Sequence, residues 1–344
     1  MKCIEFVPSE LSEKQWISYF KSRERINIGM NPDDPLPSRD GRRAYMLNPN
    51  PNYHLSWWQA LEGKDKVVGM GGVWWATEES PAFQEEKDVA YADMILESKY
   101  RTEENQFNFL QHLVSKAIEI GKSTFIIETR GEHQYSFLSK LGGTIISDRA
   151  TNRLAIKNVD MTMIKQWCEE GPQRAPGVTL ERFRSVPEKE IDQFVRLYTE
   201  TWNQAPLEDV SPEFITTPES RRTMERYFEE QNETWTTVVS RESNGAISGL
   251  TEIWHNPNAE YFIEQGLTGV SEKYRGRGLG KWLKAEMFRF IVETYPQASI
   301  IQTGNAKSNK PMLSINEKMG FKQYRKMWIV SFDTEKILDL LNEI

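Results

Sequence analysis

The sequence predicts a mixed α/β protein built from two tandem halves, each a sheet flanked by helices. Short apolar runs bounded by turn residues recur at strand length, and two longer segments have the spacing of an amphipathic helix. In addition, the tripeptide Lys-Tyr-Arg at 99–101 returns at 273–275, both times directly before the long helical segment. Strands that alternate with helices in this way are typical of a sheet covered by helices.

Both halves show the same order of elements: helices, three strands, a long helix, a strand, a helix and a last strand. Apolar residues of the long helices recur every three or four positions, as on a buried helix face. The predicted strands of the first half are 56–63, 66–76, 88–96, 124–130 and 143–157, around a helix at 103–121. Those of the second half are 234–242, 246–254, 261–271, 298–304 and 325–332, around a helix at 278–295.

A segment rich in proline and glycine, 168–180, divides the chain nearly in half. We therefore predict a domain at 1–165, a linker at 166–177 and a second domain at 178–344. A length of 344 residues suits two cores better than one. The similar stretches in the two halves favour a tandem duplication; the alternative is two unrelated α/β domains with similar helix endings.

The composition describes a globular protein and excludes several classes. A net charge of −7 without a basic tail argues against nucleic acid as a general partner. No apolar run reaches the roughly 18 residues that span a membrane. Two distant cysteines form no disulfide framework, and the N-terminus lacks a signal-peptide core, so we predict a cytoplasmic protein. We expect no metal site, and the oligomeric state stays open.

The segment Arg275-Gly276-Arg277-Gly278-Leu279-Gly280 lies between a predicted strand and the second long helix. Glycines there permit a sharp turn and a close approach of a ligand to the main chain. Their N–H groups and the helix dipole favour an anion such as a diphosphate. A dinucleotide-binding pattern would need glycine at 281, and a P-loop would need glycine at 275, so both motifs fail. A plain tight turn is the alternative.

The spacing of this turn is that of a known family. Residues 178–335 resemble the GNAT acyl-CoA N-acyltransferase superfamily, whose pattern V-x-x-x-x-[RQ]-x-x-G-x-[GA] is met by Val270, Arg275, Gly278 and Gly280. Asn309 and the pair Gly320-Phe321 continue the match downstream. The resemblance implies a mostly antiparallel, splayed sheet in each of two GNAT-like domains, with acetyl-CoA as co-substrate between two strands of the second.

The resemblance also implies which residues bind acetyl-CoA. Main-chain groups of the strand would bond the pantetheine arm, and the N–H groups of the turn would bond the pyrophosphate. The predicted binding residues are Thr268, Gly269, Val270, Arg275, Gly276, Arg277, Gly278, Leu279, Gly280, Lys281 and Asn309.

Transfer of an acetyl group to an amine needs a base, because free amines are mostly protonated at neutral pH. In the family a strand glutamate serves, and the corresponding position is Glu264, which regular alternation would place on one face with Thr268 and Val270. Glu252 and His255 are rival bases, and an ordinary paired strand carboxylate is the structural alternative for Glu264. In the family a tyrosine acts as general acid and protonates the leaving thiolate of CoA. Asn316 stands at that position here, so the residue that protonates the thiolate is unassigned.

The first half lacks the glycines of the turn. Thr102, Glu104 and Gln106 stand at the positions where the second half has glycine. Ala90 stands at the position that corresponds to Glu264. Carboxylates suit a helix N-terminus but repel phosphate. We therefore expect the first half to be a degenerate, non-catalytic GNAT-like domain.

The acceptor is expected to be the amine of a small molecule. Glu208, Asp209 and Glu213, in the segment 200–220, could attract a cation, although solvated loop acids explain them as well. Two alternatives stay open: an enzyme that acetylates protein lysines or N-termini, and a non-catalytic regulatory protein that binds CoA.

Overall fold

A computed structural model describes residues 1–32, 34–129, 131–204, 215–306 and 309–343. Glu208, Asp209 and Glu213, which could attract a cation or be solvated loop acids, lie outside the described residues. The chain forms two compact units, Met1–Asp148 with Met327–Ile344, and Arg149–Lys326. Among the described residues, no helix is long and apolar enough to cross a membrane.

Residues up to 155 supply most of the first unit. Ser12 caps the first helix by accepting from the Gln15 N–H, and Thr102 caps the long helix in the same way through Asn105. In chain order the elements are β1 (Lys2–Phe6), α1 (Glu13–Met30), α2 (Arg39–Leu47), β2 (Tyr53–Glu62), β3 (Lys66–Ala76), α3 (Phe83–Glu86), β4 (Val89–Leu96), α4 (Glu103–Glu119), β5 (Thr124–Glu128), α5 (Glu132–Lys140) and β6 (Thr144–Ala155).

The rest of the chain supplies most of the second unit. Its elements are α6 (Met161–Arg174), β7 (Thr179–Phe183), α7 (Ile191–Asn203), α8 (Pro218–Glu230), β8 (Thr234–Arg241), β9 (Ile247–His255), β10 (Phe262–Val270), α9 (Leu279–Thr294), β11 (Ile300–Ala306), α10 (Lys310–Met319), β12 (Lys322–Asp333) and α11 (Thr334–Glu343).

Each unit has the same strand order. In the first it is β1-β2-β3-β4-β5-β12, and in the second β7-β8-β9-β10-β11-β6. Neighbours are antiparallel except β4 with β5 and β10 with β11, which are parallel. The sheet is therefore mixed and mostly antiparallel in both units.

The last strand of each half completes the sheet of the other unit. Residues 149–155 of β6 pair with 300–306 of β11, and residues 329–333 of β12 pair with 124–128 of β5. Leu154 is fully buried in the core of the second unit, whereas Val330 is buried in the core of the first. The two halves of the sequence therefore exchange their C-terminal strands.

The predicted domain boundaries and the linker are wrong. Residues 161–174 form α6, which packs on α9, so most of the segment 166–177 is helical. Gly171 is a packing residue, because a Cβ there would lie 2.2 Å from the Trp282 ring. Unit boundaries fall inside β6 and β12, since each strand passes from one unit to the other.

All ten predicted strands are present, with ends that differ by a few residues. The two strands that the sequence did not indicate are β1 and β7, each five residues long and each at the outer end of its sheet. Short edge strands carry too few alternating residues to be recognised by periodicity.

Candidate active site

The parallel strands β10 and β11 separate after a short stretch of pairing. Residues 262–264 pair with 300–302, and no further pairs between these strands occur in the described ranges. A Cβ added at Gly304, beyond the last pair, would meet no atom within 4 Å. The second unit therefore contains an opening in its sheet, bordered by the C-terminal ends of two parallel strands.

A β-bulge in β10 changes which side chains share a face. Glu264 pairs with Trp254 and Thr268 pairs with Thr251, with a shift of register between Gln265 and Thr268. Trp254 and Thr251 are three residues apart on a regular strand, so they point to opposite faces. The expectation that Glu264 lies on one face with Thr268 and Val270 is therefore wrong.

The two faces of this sheet are covered by different helices. Ile253 and Ile263 pack with Leu283 of α9 on one face, which is also the face of Thr268. Leu250 packs with Phe194 of α7 on the other, which is the face of Glu264. The opening therefore lies between two faces of the sheet, one covered by α9 (the α9 side) and one covered by α7 (the α7 side).

The main chain of β10 offers donors to the opening. The Ser271 N–H donates to Ser248 O of β9 at 2.9 Å. Because N–H groups alternate along a strand, those of Thr268 and Val270 point away from β9, toward the opening. Glycine is needed at position 269 for packing, because a Cβ added there would lie 2.4 Å from Thr201 on α7.

The glycine turn, residues 275–280, leads into the first turn of α9, and most of its main-chain N–H groups have no acceptor among the described residues. Gly276 and Gly278 have φ of 80° and 81°, and Gly278 is the N-cap of α9. Within the described part of the chain, the N–H groups of residues 276–280 have no acceptor. The Lys281 N–H, predicted to be part of this set, donates to Gly278 O at 3.1 Å. Five main-chain donors at a positive helix end are suited to bind an anion.

The arginines of the turn have other partners. Arg275 Nε donates to Val270 O at 3.2 Å, and its guanidinium also bonds Gln204. In the first unit Arg101 Nε donates to Leu96 O at 2.8 Å, so this contact braces the turn in both units. Arg277 bonds both carboxylate oxygens of Glu242, at 2.9 and 3.0 Å.

Arg174 is a cation beside the turn that the sequence did not indicate. A Cβ at Gly278 would lie 3.2 Å from Arg174 Nε. Arg174 lies at the end of α6, in the segment interpreted as a linker, which is why no signal in the sequence drew attention to it.

Glu264 lies half-buried on the α7 side and forms with Gln302 the last pair between the two strands. Gln302 Nε2 donates to Glu264 Oε2 at 3.2 Å, and Arg153 Nε donates to Gln302 Oε1 at 2.9 Å. Burial raises the pKa of Glu264 to about 7, although the Gln302 hydrogen bond and the Arg153 charge act in the opposite direction. A carboxyl group with this pKa can hold and release a proton near neutrality.

The rival bases are placed less well. Glu252 is fully buried and bonded to Arg221 at 2.8 Å and to Thr237 at 3.1 Å, so its charge belongs to an internal ion pair. His255 lies on the α9 face, stacked on Tyr295 with ring centroids 4.2 Å apart, and burial lowers its pKa. Neither shares the surroundings of Glu264.

Asn309 and Asn316 both hold α10 in place. Asn309 is the N-cap of α10 and accepts from the Met312 N–H at 3.3 Å. Asn316 is buried, accepts from Lys284 Nζ at 2.6 Å and donates to Asn305 Oδ1 at 2.7 Å.

The corresponding place in the first unit is built differently. Residues 69–74 of β3 pair with 91–96 of β4 without a bulge. The Thr102 side chain occupies the helix end by accepting from the Asn105 N–H at 3.2 Å. The start of α4 is therefore capped by a side chain, whereas the N–H groups at the start of α9 have no acceptor among the described residues.

Comparison with known proteins agrees with this architecture. Residues 192–321 match the acetyltransferase (GNAT) family. No curated protein matches the sequence. Among the described residues, no group of histidine, cysteine and acidic side chains could hold a metal ion.

Several solved structures share the fold over the whole chain. A tandem GNAT protein from the clavulanic acid biosynthesis pathway is 16% identical, with 97% of this chain and 98% of that chain covered and a TM-score of 0.77. A GCN5-related N-acetyltransferase from Sphaerobacter thermophilus is 12% identical, with 97% and 95% covered and a TM-score of 0.67. A GNAT-family acetyltransferase from Colwellia psychrerythraea is 10% identical, with 97% and 99% covered and a TM-score of 0.54. The predicted tandem GNAT fold is confirmed.

Proposed function

We propose that this protein, whose residues 192–321 match the acetyltransferase (GNAT) family, transfers an acetyl group from acetyl-CoA to the amine of a small molecule. The observation that carries the proposal is the combination of unused amides at the start of α9 with a separated pair of parallel strands that leads to Glu264.

The residues present fit acetyl-CoA. The N–H groups of 276–280 would bond the pyrophosphate, and Arg174 adds a positive charge beside Gly278. No atom within 4 Å blocks a Cβ position at Gly276, so the approach to this turn is open. The N–H groups of Thr268 and Val270 face the opening, where they would bond the amides of the pantetheine arm. When bound, acetyl-CoA supplies an activated acyl group with a thiolate leaving group.

Glu264 is the proposed general base. A new N–C bond forms as the amine attacks the thioester carbonyl, the C–S bond breaks, and the amine gives up one proton to Glu264. The leaving sulfur takes up a proton, which yields an acetamide and free CoA. Burial on the α7 side holds the pKa of Glu264 at about 7, close to the value that suits a base at neutral pH.

The first unit is proposed to be non-catalytic. Thr102 caps its helix end, and Glu103 and Glu104 follow in the first helical turn, where they would repel a phosphate. The first half of the sequence nevertheless contributes to the second unit, because residues 149–155 of β6 belong to that unit and place Arg153 beside Gln302. This favours one working site in the chain.

The test is to measure CoA and acetyl-CoA binding by calorimetry, then thiol release with a panel of small amines. We expect binding together with amine-dependent release and a product heavier by one acetyl group. Binding without turnover on any amine would favour the regulatory alternative. Acetylation of lysines in co-incubated proteins, with no small amine accepted, would favour the protein-modifying one. Absence of binding would refute the proposal.

A further inference from the structure

Lys284 is a buried lysine that has no carboxylate partner among the described residues. It lies in the second turn of α9, and 2% of its surface is exposed. Among the described residues it has one hydrogen-bond acceptor, the neutral Asn316 Oδ1 at 2.6 Å, and its Nζ lies 5.1 Å from the centre of the Phe321 ring. No ion pair forms with any acid in the same ranges. Because a buried ammonium group is costly without a counter-charge, burial lowers the pKa of Lys284 to about 7, and the side chain exchanges its proton near neutrality.

A chain of side chains connects this lysine to the sheet opening. Lys284 donates to Asn316 on α10, Asn316 Nδ2 donates to Asn305 Oδ1 at 2.7 Å, and Asn152 Nδ2 donates to the same oxygen at 3.4 Å. Asn305 lies on β11 three residues beyond Gln302, the last residue paired with β10. The chain therefore ends beside the point where the two strands have separated.

These hydrogen-bonded side chains lie on the face of the sheet opposite to Glu264. Asn152 pairs with Thr303, and Arg153 pairs with Gln302, so Asn152 and Arg153 point to opposite faces. Arg153 and Gln302 share the α7 side with Glu264, whereas Asn152 and Asn305 share the α9 side with Lys284. Glu264 and Lys284 therefore lie on opposite sides of the sheet at this opening.

The donors of Asn316 are not exhausted. A side-chain amide carries two N–H donors, and one of them is used by Asn305. For the other, no acceptor occurs in the described part of the chain. The ammonium of Lys284 on the amide oxygen polarises this N–H and strengthens it as a donor.

We propose that Lys284 is a positioning residue for the leaving group: through Asn316 it stabilises the thiolate of CoA on the α9 side of the opening. The inference rests on the proposed function. The arrangement divides the reaction between the two faces, because the amine loses its proton to Glu264 on one side and the sulfur receives its negative charge next to Asn316 on the other. The thiolate that forms when the C–S bond breaks would supply the counter-charge that the ammonium form of Lys284 otherwise lacks, and so favour that form.

The experiment measures the pKa of the thiol of bound CoA, from the ultraviolet absorbance of the thiolate as pH is raised. The same titration with S-methyl-CoA, which has no thiol, removes the contribution of Cys3 and Cys168. Wild type is compared with K284M and with K318M, an exposed lysine of α10 that loses the same charge. N316D is a second variant, in which a carboxylate neutralises Lys284 directly.

We expect wild type and K318M to lower the thiol pKa relative to free CoA, and K284M and N316D to raise it again by about 1. An equal thiol pKa in wild type and both variants, with CoA still bound, would overturn the role of Lys284 and leave the proposed function standing. Failure of wild type to bind CoA would overturn both. If K284M does not fold, wild type alone decides, because a thiol pKa in wild type equal to that of free CoA would overturn the role of Lys284.

Discussion

At the scale of single residues, the important feature of Glu264 is the balance between burial and its partners. Burial raises its pKa to about 7, whereas the hydrogen bond from Gln302 and the charge of Arg153 favour the carboxylate. The carboxyl group must be ionised to accept a proton from the amine. Below pH 7 it is mostly protonated, so the base is lost as the pH falls.

We expect the rate of acetyl transfer to rise with pH through an apparent pKa near 7. In E264Q the rate should fall about 10²- to 10⁴-fold, and this limb of the pH profile should disappear. The measurement is kcat/KM against pH with an amine found in the panel. H255Q is the control, because His255 lies on the opposite face of β10 and should leave the profile unchanged. A profile that shifts in H255Q and persists in E264Q would assign the base to the histidine.

Glu264 stays a prediction from spacing, and its surroundings could not be predicted from the sequence. Counting residues along a strand assumes regular alternation, and the bulge between Gln265 and Thr268 breaks that rule. Arg153 is 111 positions before Glu264 in the chain, and only the pairing of β6 with β11 brings it to Gln302. Contacts that depend on such pairing leave no local pattern in a sequence.

At the scale of elements, the two long helices start in opposite ways. In α4, Thr102 accepts a main-chain hydrogen bond and two acids follow, so the helix end is satisfied by the protein. In α9, Gly278 is the cap, has no side chain and leaves the amides of 276–280 open. The glycines predicted this difference directly, since a left-handed φ and a missing Cβ are local properties.

Gly278 offers a matched pair of substitutions. Asparagine and aspartate have the same shape and both tolerate a positive φ better than other residues do, so G278N and G278D should fold with similar melting temperatures. Aspartate places a carboxylate at the anion site and within reach of Arg174. We expect the Kd for CoA to rise at least about tenfold more in G278D than in G278N, measured by calorimetry. Equal affinities in the two variants would contradict a diphosphate site at this turn.

At the scale of the whole molecule, the sequence halves do not coincide with the structural units. The repeat of Lys-Tyr-Arg and the matching order of elements predicted two similar domains, and this is what the strand orders show. The exchange of β6 and β12 was not predicted, because a strand of suitable pattern fits the edge of either sheet equally well. Each half of the chain therefore needs the other to complete its sheet.

Leu154 and Val330 test this exchange, because each lies in one half of the sequence and in the core of the unit formed by the other half. Replacing a buried leucine by alanine costs about 2–5 kcal/mol, since it removes apolar contacts and leaves a cavity. In L154A, hydrogen exchange followed by mass spectrometry should quicken in β10, β11 and α9, while β4 and β5 keep the wild-type rate. V330A should show the reverse pattern, with faster exchange in β5 and α4. If L154A instead loosened β5 and left β11 unchanged, β6 would belong to the unit of its own half, and Arg153 could not lie beside Gln302.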